Sequence, residues 1–162
     1  MFKIKDYVVY NNNVCRIEEI REKRYRNLDY YFMHPIDDDT LNIEIPVDNK
    51  TLRKVITKEE ANKLIEKIPY IEIINDNTKM IENTYKELMK TNNLEDLIKI
   101  IKTTYLRNDA RIKNGKKESE KDSNYFEMSE KRLYNELSIA LNLSFKETKE
   151  YIINKVNNID NK

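Results

Sequence analysis

The chain has 162 residues, with 30 Lys and Arg against 29 Asp and Glu, so its formal net charge of +1 by itself points to neither a nucleic acid nor a membrane surface. A hydrophobic fraction of 39% is enough for one ordinary domain or two small ones, and no run approaches the roughly 18 uninterrupted apolar residues of a membrane helix. One cysteine, one histidine and one glycine exclude an intrachain disulfide, a thiolate zinc site built by this chain alone and the glycine-rich loops that cradle phosphates. Met1 to Asp6 lack the apolar run of a signal peptide, so a cytoplasmic location is expected. His34 beside Pro35 and Cys15 in a strand-like run offer no nucleophile, base and orienting partner, so neither an enzyme nor a cofactor is expected. Asp37-Asp38-Asp39 reads as a solvated turn, because a calcium loop alternates its ligands and needs a glycine at the bend.

Residues 6 to about 55 read as strands. Tyr7-Val8-Val9-Tyr10 is a short β-rich run closed by Asn11-Asn12-Asn13, and asparagine tolerates the left-handed backbone of a turn. A second strand begins near Val14 and runs through Ile20 to a charged tip at Arg21 to Arg26. Tyr30-Tyr31-Phe32-Met33 returns as its partner, completing a hairpin. Leu41, Ile43 and Ile45 alternate with Asn42 and Glu44 as a half-buried strand, and Pro46 ends the pairing or lies on an edge. Short strands at this spacing predict a small antiparallel barrel or curled sheet of the Tudor or SH3 type.

The period then changes. Thr57-Lys58-Glu59-Glu60 is a capping box that opens a helix with Ala61, Leu64, Ile65 and Ile68 on one face, ending before Pro69. Pro69 to Thr78, with Asn75, Asp76 and Asn77, is the expected boundary between a β domain at 1–70 and a helical domain at 71–162. Met80 to Lys90 forms one helix. Leu94, Leu97, Ile98, Ile101 and Tyr105 form the apolar stripe of a second. Phe126, Ser129, Leu133, Leu137, Ala140 and Leu141 mark a third, from about Glu120 to Asn142. Ser144-Phe145-Lys146-Glu147 is another capping box, opening a last helix through Ile152 and Val156. Four such stripes bury only against one another, so the fold class is α+β: a small antiparallel β domain followed by an all-α helical bundle. From Lys99 to Lys117, seven cations (Lys99, Lys102, Arg107, Arg111, Lys113, Lys116 and Lys117) stand against Asp109 alone, a local charge of +6 suited to phosphate contact or to a solvated loop.

These residues resemble the CarD and CdnL family of transcription regulators, whose N-terminal domain also occurs within the transcription-repair coupling factor. The likeness runs through Phe2 to Tyr10, Val14 to Ile20, Ile43-Glu44-Ile45-Pro46-Val47-Asp48-Asn49 and Val55 to Glu60. It continues through Leu94 to Asn108 and Leu133 to Leu141, so the order of elements agrees over nearly the whole chain. Two departures stand out. Family members usually have glycines in the first turn, where this chain has Lys5 and Asn13, and they commonly carry a DNA-wedging tryptophan where this chain has the stretch Asn77 to Met80 and no tryptophan.

The resemblance implies a regulator that docks on RNA polymerase at a promoter. Its β domain would add a strand edge to the polymerase β subunit, at family-matched positions Lys23 and Arg24 on the hairpin tip and Asn42, Ile43, Glu44 and Ile45 on the strand. Glu44 falls where relatives carry a cation. The helical domain would stabilise the opened promoter complex by non-specific contacts to upstream DNA at the edge of the bubble, with Lys79 and Lys86 in the family's DNA-facing region and Met80 as the apolar wedge. The basic segment adds Arg107, Arg111, Lys113, Lys116 and Lys117. The chain is expected to act as a monomer and without a membrane. Two rival readings stand beside it: a protein-only adaptor on the polymerase, in which DNA wedging has no part, and, more remotely, a small hydrolase or nuclease using a metal held by carboxylates such as Asp37 to Asp39, for which no histidine, cysteine or basic helper stands at a motif spacing.

Overall fold

The computed structural model describes residues 1–160, and the chain divides into two compact units, Met1–Val55 and Ile56–Lys162. The class is α+β: an antiparallel sheet followed by helices. Among the described residues, no helix is long and apolar enough to cross a membrane.

The first unit is a five-stranded antiparallel sheet of β1 (Tyr7–Tyr10), β2 (Asn13–Tyr25), β3 (Leu28–Pro35), β4 (Ile43–Pro46) and β5 (Arg53–Lys54), in the order β4-β3-β2-β1-β5. Both hairpins turn on two left-handed residues, the conformation that matches the twist of the flanking strands. Asn11 and Asn12 have φ of 50° and 63° between β1 and β2, and Arg26 and Asn27 have φ of 50° and 61° between β2 and β3. Asparagine holds this backbone at small cost. One face of the sheet buries Val8, Cys15, Ile17, Tyr31, Met33 and Ile45. Simple alternation along β2 would carry this face from Ile17 to Glu19. The register instead slips by one residue between Ile17 and Glu19, so that Ile20 pairs with Tyr31 and packs against the same core. Glu18 is the extra residue of this bulge, and it turns the sequence spacing of three between Ile17 and Ile20 into a shared face.

Cys15 is fully buried, and burial, with the Asp37 carboxylate adding to it, pushes its thiol up to about 12. A thiol held neutral in this way packs as a small hydrophobe. Asp38 closes the acidic turn on itself, its Oδ1 accepting from the Thr40 N–H at 3.1 Å and from the Thr40 hydroxyl at 2.5 Å.

Lys5 adopts a φ of 76° while its N–H donates to the Ile17 carbonyl at 2.7 Å. A Cβ in this region costs roughly 1–2 kcal/mol, and part of that returns as the lower unfolded-state entropy of a non-glycine residue. Lys5→Gly is therefore expected to stabilise the protein by about 0.5–1 kcal/mol, read as a higher melting temperature. A variant that melts no higher than the parent would show that Lys5 is held there without strain. Asn13, the other position where family members carry glycine, is a regular strand residue here. The left-handed positions are the two asparagines before it.

The second unit contains α1 (Lys58–Lys67), a 3-10 turn at Ile68–Tyr70, α2 (Ile81–Met89), α3 (Leu94–Lys113), α4 (Glu120–Leu141) and α5 (Phe145–Asp160). Both capping boxes form. Thr57 and Glu60 exchange side-chain to backbone bonds of 3.1 Å each, and so do Ser144 and Glu147. Asn142, left-handed at φ 55°, ends α4. The core runs from Ala61, Leu64 and Ile65 through Ile81, Tyr85, Leu97, Ile98 and Ile100 to Leu133, Leu137 and Ile152.

Three expectations from the sequence take a different form here. The units divide after Val55, not after residue 70, because Ala61, Leu64 and Ile65 bury their apolar face in the helical core. The polar segment expected to be a linker is tied down as well: Ile71 is buried, Ile74 N–H donates to Thr103 Oγ1 at 2.9 Å, and Lys102 Nζ donates to the carbonyls of Ile68 at 2.8 Å and Ile71 at 2.5 Å. Tyr105 was expected on the core stripe of α3 and is exposed. The stripe continues instead through Thr104 and Asn108. Their polar atoms are satisfied, Thr104 Oγ1 by the Ile100 carbonyl at 2.7 Å and Asn108 by Ser123 Oγ at 3.1 Å and the Ser119 N–H at 2.8 Å.

Candidate functional site

β4 lies at the edge of the sheet, and among the described residues β3 is its only strand neighbour. The Val47 N–H donates to the Asp29 carbonyl at 3.0 Å, which continues the ladder one step past the strand. Bonded and non-bonded pairs alternate in an antiparallel ladder, so Tyr31–Ile45 and Met33–Ile43 bond to each other and the N–H and C=O of Glu44 face away from β3. Pro46, which has no N–H to offer, occupies the other outward position. An unpaired strand edge of this kind can accept an added strand from a partner.

The side chains around this edge form one charged cluster on the sheet face opposite the core. The Glu44 carboxylate accepts from the Arg21 guanidinium and lies 3.7 Å from Arg24 Nε. Arg21 also approaches Glu19 at 3.4 Å, and its guanidinium sits 4.1 Å above the Phe32 ring. Phe32 meets His34 edge to face at 5.0 Å, and His34 Nδ1 reaches the Leu41 carbonyl at 2.9 Å, which fixes Nδ1 as the protonated ring nitrogen. Lys23 sits in a second register shift, between Arg21 and Tyr25, with φ 47° and its N–H donating to Asp29 Oδ1 at 3.0 Å, so Lys23 and Arg24 stand exposed beside β4.

Of the residues expected at this edge, the structure brings together Lys23, Arg24 and Glu44. Ile45 is buried in the core and Ile43 packs half-buried against it, so these two support the edge from behind, and Asn42 is exposed just before the strand. Sequence reasoning missed Arg21, Phe32 and His34. The signal was available, since Phe32 and His34 alternate with the buried Tyr31 and Met33 and must lie on the opposite face.

The second unit distributes its expected contact residues less evenly. Lys79 is exposed, and Met80, 52% exposed, sits at the start of α2 with its N–H held by Asn77 Oδ1 at 3.0 Å. Lys86 lies 3.8 Å from Glu82, and Lys113 lies 2.9 Å from Asp109. Arg111 Nε donates to the Lys117 carbonyl at 2.8 Å, which closes the loop around Gly115 at φ 73°. Lys116 and Lys117 are exposed there, and among the described residues no ion pair engages Lys79, Lys116 or Lys117.

Arg107 has a different role from the surface contact expected of it. Its Nε donates to Asp122 Oδ2 at 3.0 Å, and Asp122, fully buried, takes the Tyr85 hydroxyl on its other oxygen at 2.9 Å. Burial and the bond to Asp122 both push the Tyr85 hydroxyl up, so it remains a donor at any ordinary pH. α2, α3 and α4 are thereby tied at one buried carboxylate, and Arg107 serves the fold.

Residues 2–58, about a third of the chain, match the family model of the CarD-like/TRCF RID domain. No curated protein matches the chain.

Proposed function

We propose that this chain, whose residues 2–58 match the family model of the CarD-like/TRCF RID domain, is a transcription regulator that docks the β4 edge on the RNA polymerase β subunit. The observation that carries the reading is the outward backbone of Glu44 on an unpaired edge, inside the matched segment and flanked by Lys23 and Arg24. Backbone bonds to the partner would supply affinity, and the charged cluster would set which partner fits. The chain acts by binding and carries no catalytic step.

The helical unit then supports the opened promoter. Lys79, Lys116 and Lys117 position phosphates without reading sequence, with Arg111 and the internally paired Lys86 and Lys113 beside them, and exposed Met80 is the apolar group available to wedge at the bubble edge. Three effective cations give weak binding to duplex DNA, with log affinity falling against log salt at a slope of about −3. The adaptor reading is favoured by one observation, the internal pairing of Arg107 with Asp122 and of Lys113 with Asp109 within the basic segment.

One experiment separates the two. Met80→Ala is expected to shorten the lifetime of the open complex in a competitor-challenge assay, while binding to polymerase in a pull-down is unchanged. An unaltered lifetime with binding intact assigns the chain to the adaptor class. No binding by the parent chain removes the polymerase reading.

A further inference from the structure

On one side of the α3–α4 hairpin packs α2. Tyr85 of α2 reaches Asp122 there, and its ring lies 5.0 Å from that of Tyr125. Phe126 and Glu127, one and two positions after Tyr125, lie about 100° and 200° around α4 from it and so turn away from this contact. On that other side lies a groove of about 540 Å³, floored by Tyr105, Ile112 and Phe126. Tyr105 and Ile112 sit seven residues apart on one helical face and are 60% and 53% exposed. Phe126, expected in the core stripe of α4, is half-buried here instead.

The rim is acidic. Asp109, Glu118, Glu127 and Glu130 line the groove, and among the described residues no cationic side chain does. Lys113 and Lys149 approach from outside and pair with Asp109 at 2.9 Å and Glu130 at 3.4 Å, which leaves Glu118 and Glu127 to give the rim its negative sign. From Thr104 to Ile112 the groove follows α3 for about 12 Å, a little over two helical turns. That length accepts apolar anchors at i, i+3 or i+4, and i+7 of a docked helix.

We propose that the α3/α4 groove docks a cationic amphipathic helix of a protein partner, its apolar face on Tyr105, Ile112 and Phe126 and its lysines or arginines on Glu118 and Glu127. Nucleic acid and anionic lipid are disfavoured at this surface, because phosphate would meet carboxylates across a short distance. The site lies outside the matched domain and does not depend on the polymerase reading.

The test uses the full chain, ¹⁵N-labelled, titrated with an 18-residue Leu/Lys amphipathic helical peptide and with a Leu/Glu peptide of the same apolar pattern. The Leu/Lys peptide is expected to shift the amide signals of Tyr105, Ile112, Phe126 and Glu127 saturably at one to one, and the Leu/Glu peptide to leave them in place. The double variant Glu118→Lys, Glu127→Lys alters exposed groups only, and it is expected to weaken the Leu/Lys peptide at least tenfold with an unchanged melting temperature. Absence of groove shifts, or equal shifts with both peptides, overturns the proposal. Shifts of the same signals on raising the protein concentration alone make the groove a contact between two copies of this chain, and also overturn it.

Discussion

Asp122→Ala is expected to cost the helical unit about 3 kcal/mol, because breaking a buried ion pair leaves its partners uncompensated. Asp122 is fully buried, and both of its oxygens are engaged, one by Arg107 Nε at 3.0 Å and one by the Tyr85 hydroxyl at 2.9 Å. Alanine strands the fully buried Tyr85 hydroxyl, at about 1–3 kcal/mol, and removes the counter-charge of Arg107. Arg107 is 29% exposed and recovers part of its loss from water, which holds the total near the lower end of the range for broken buried pairs. Asp122→Asn keeps an acceptor for Tyr85 and should lose less. Urea unfolding followed by helical circular dichroism measures both, and a loss below about 1 kcal/mol for the alanine variant would mean that the carboxylate does not hold the three helices together.

Glu44→Pro is expected to weaken binding to the polymerase β subunit at least tenfold while leaving the melting temperature almost unchanged. The Glu44 N–H points away from β3, so a proline there removes a donor that only a partner would use, and prolines are tolerated on edge strands in that orientation. A tenfold change corresponds to about 1.4 kcal/mol, within reach of one lost backbone bond and the disturbed seating of an added strand. Glu44→Ala separates the backbone from the carboxylate: it keeps the N–H and releases Arg21 and Arg24, so it should change affinity less than proline does. Unchanged affinity for the proline variant, with the polymerase still bound, would place the docking surface elsewhere on the unit.

Local rules made much of this protein legible in its sequence. Asn11-Asn12 needed no tertiary help to be a turn, since asparagine accepts left-handed backbone by itself. The two capping boxes form because each needs only residues three apart. Ile43 and Ile45 were readable as the inward face of a strand and Glu44 as its outward face, because side-chain alternation is a property of the extended chain. That this strand offers an edge was implied by the family resemblance, and the sheet order places β4 outermost. Family resemblance and the match over residues 2–58 agree on that segment.

The arrangement of charge was not legible in that way. A run of seven cations carries its sign in the sequence, but whether a guanidinium faces solvent or a buried acid depends on an element elsewhere in the chain. Arg107 meets Asp122, fifteen residues away on the next helix, and Lys102 meets carbonyls more than thirty residues back. Thr104 and Asn108 extend the core of α3 as polar residues, which no count of apolar positions detects, and so Tyr105 was assigned to the wrong face.

Sequence alone therefore determined the turns, the caps and the α+β order, all of them set by forces acting within a few residues. Tertiary structure decided three other things. It gave α1 to the helical unit, it added the Glu18 bulge that returns Ile20 to the sheet core, and it separated the cations bound within the fold from those left at the surface. The reason is common to all three: each depends on which buried surface wins a side chain, and that competition exists only once distant segments have packed together.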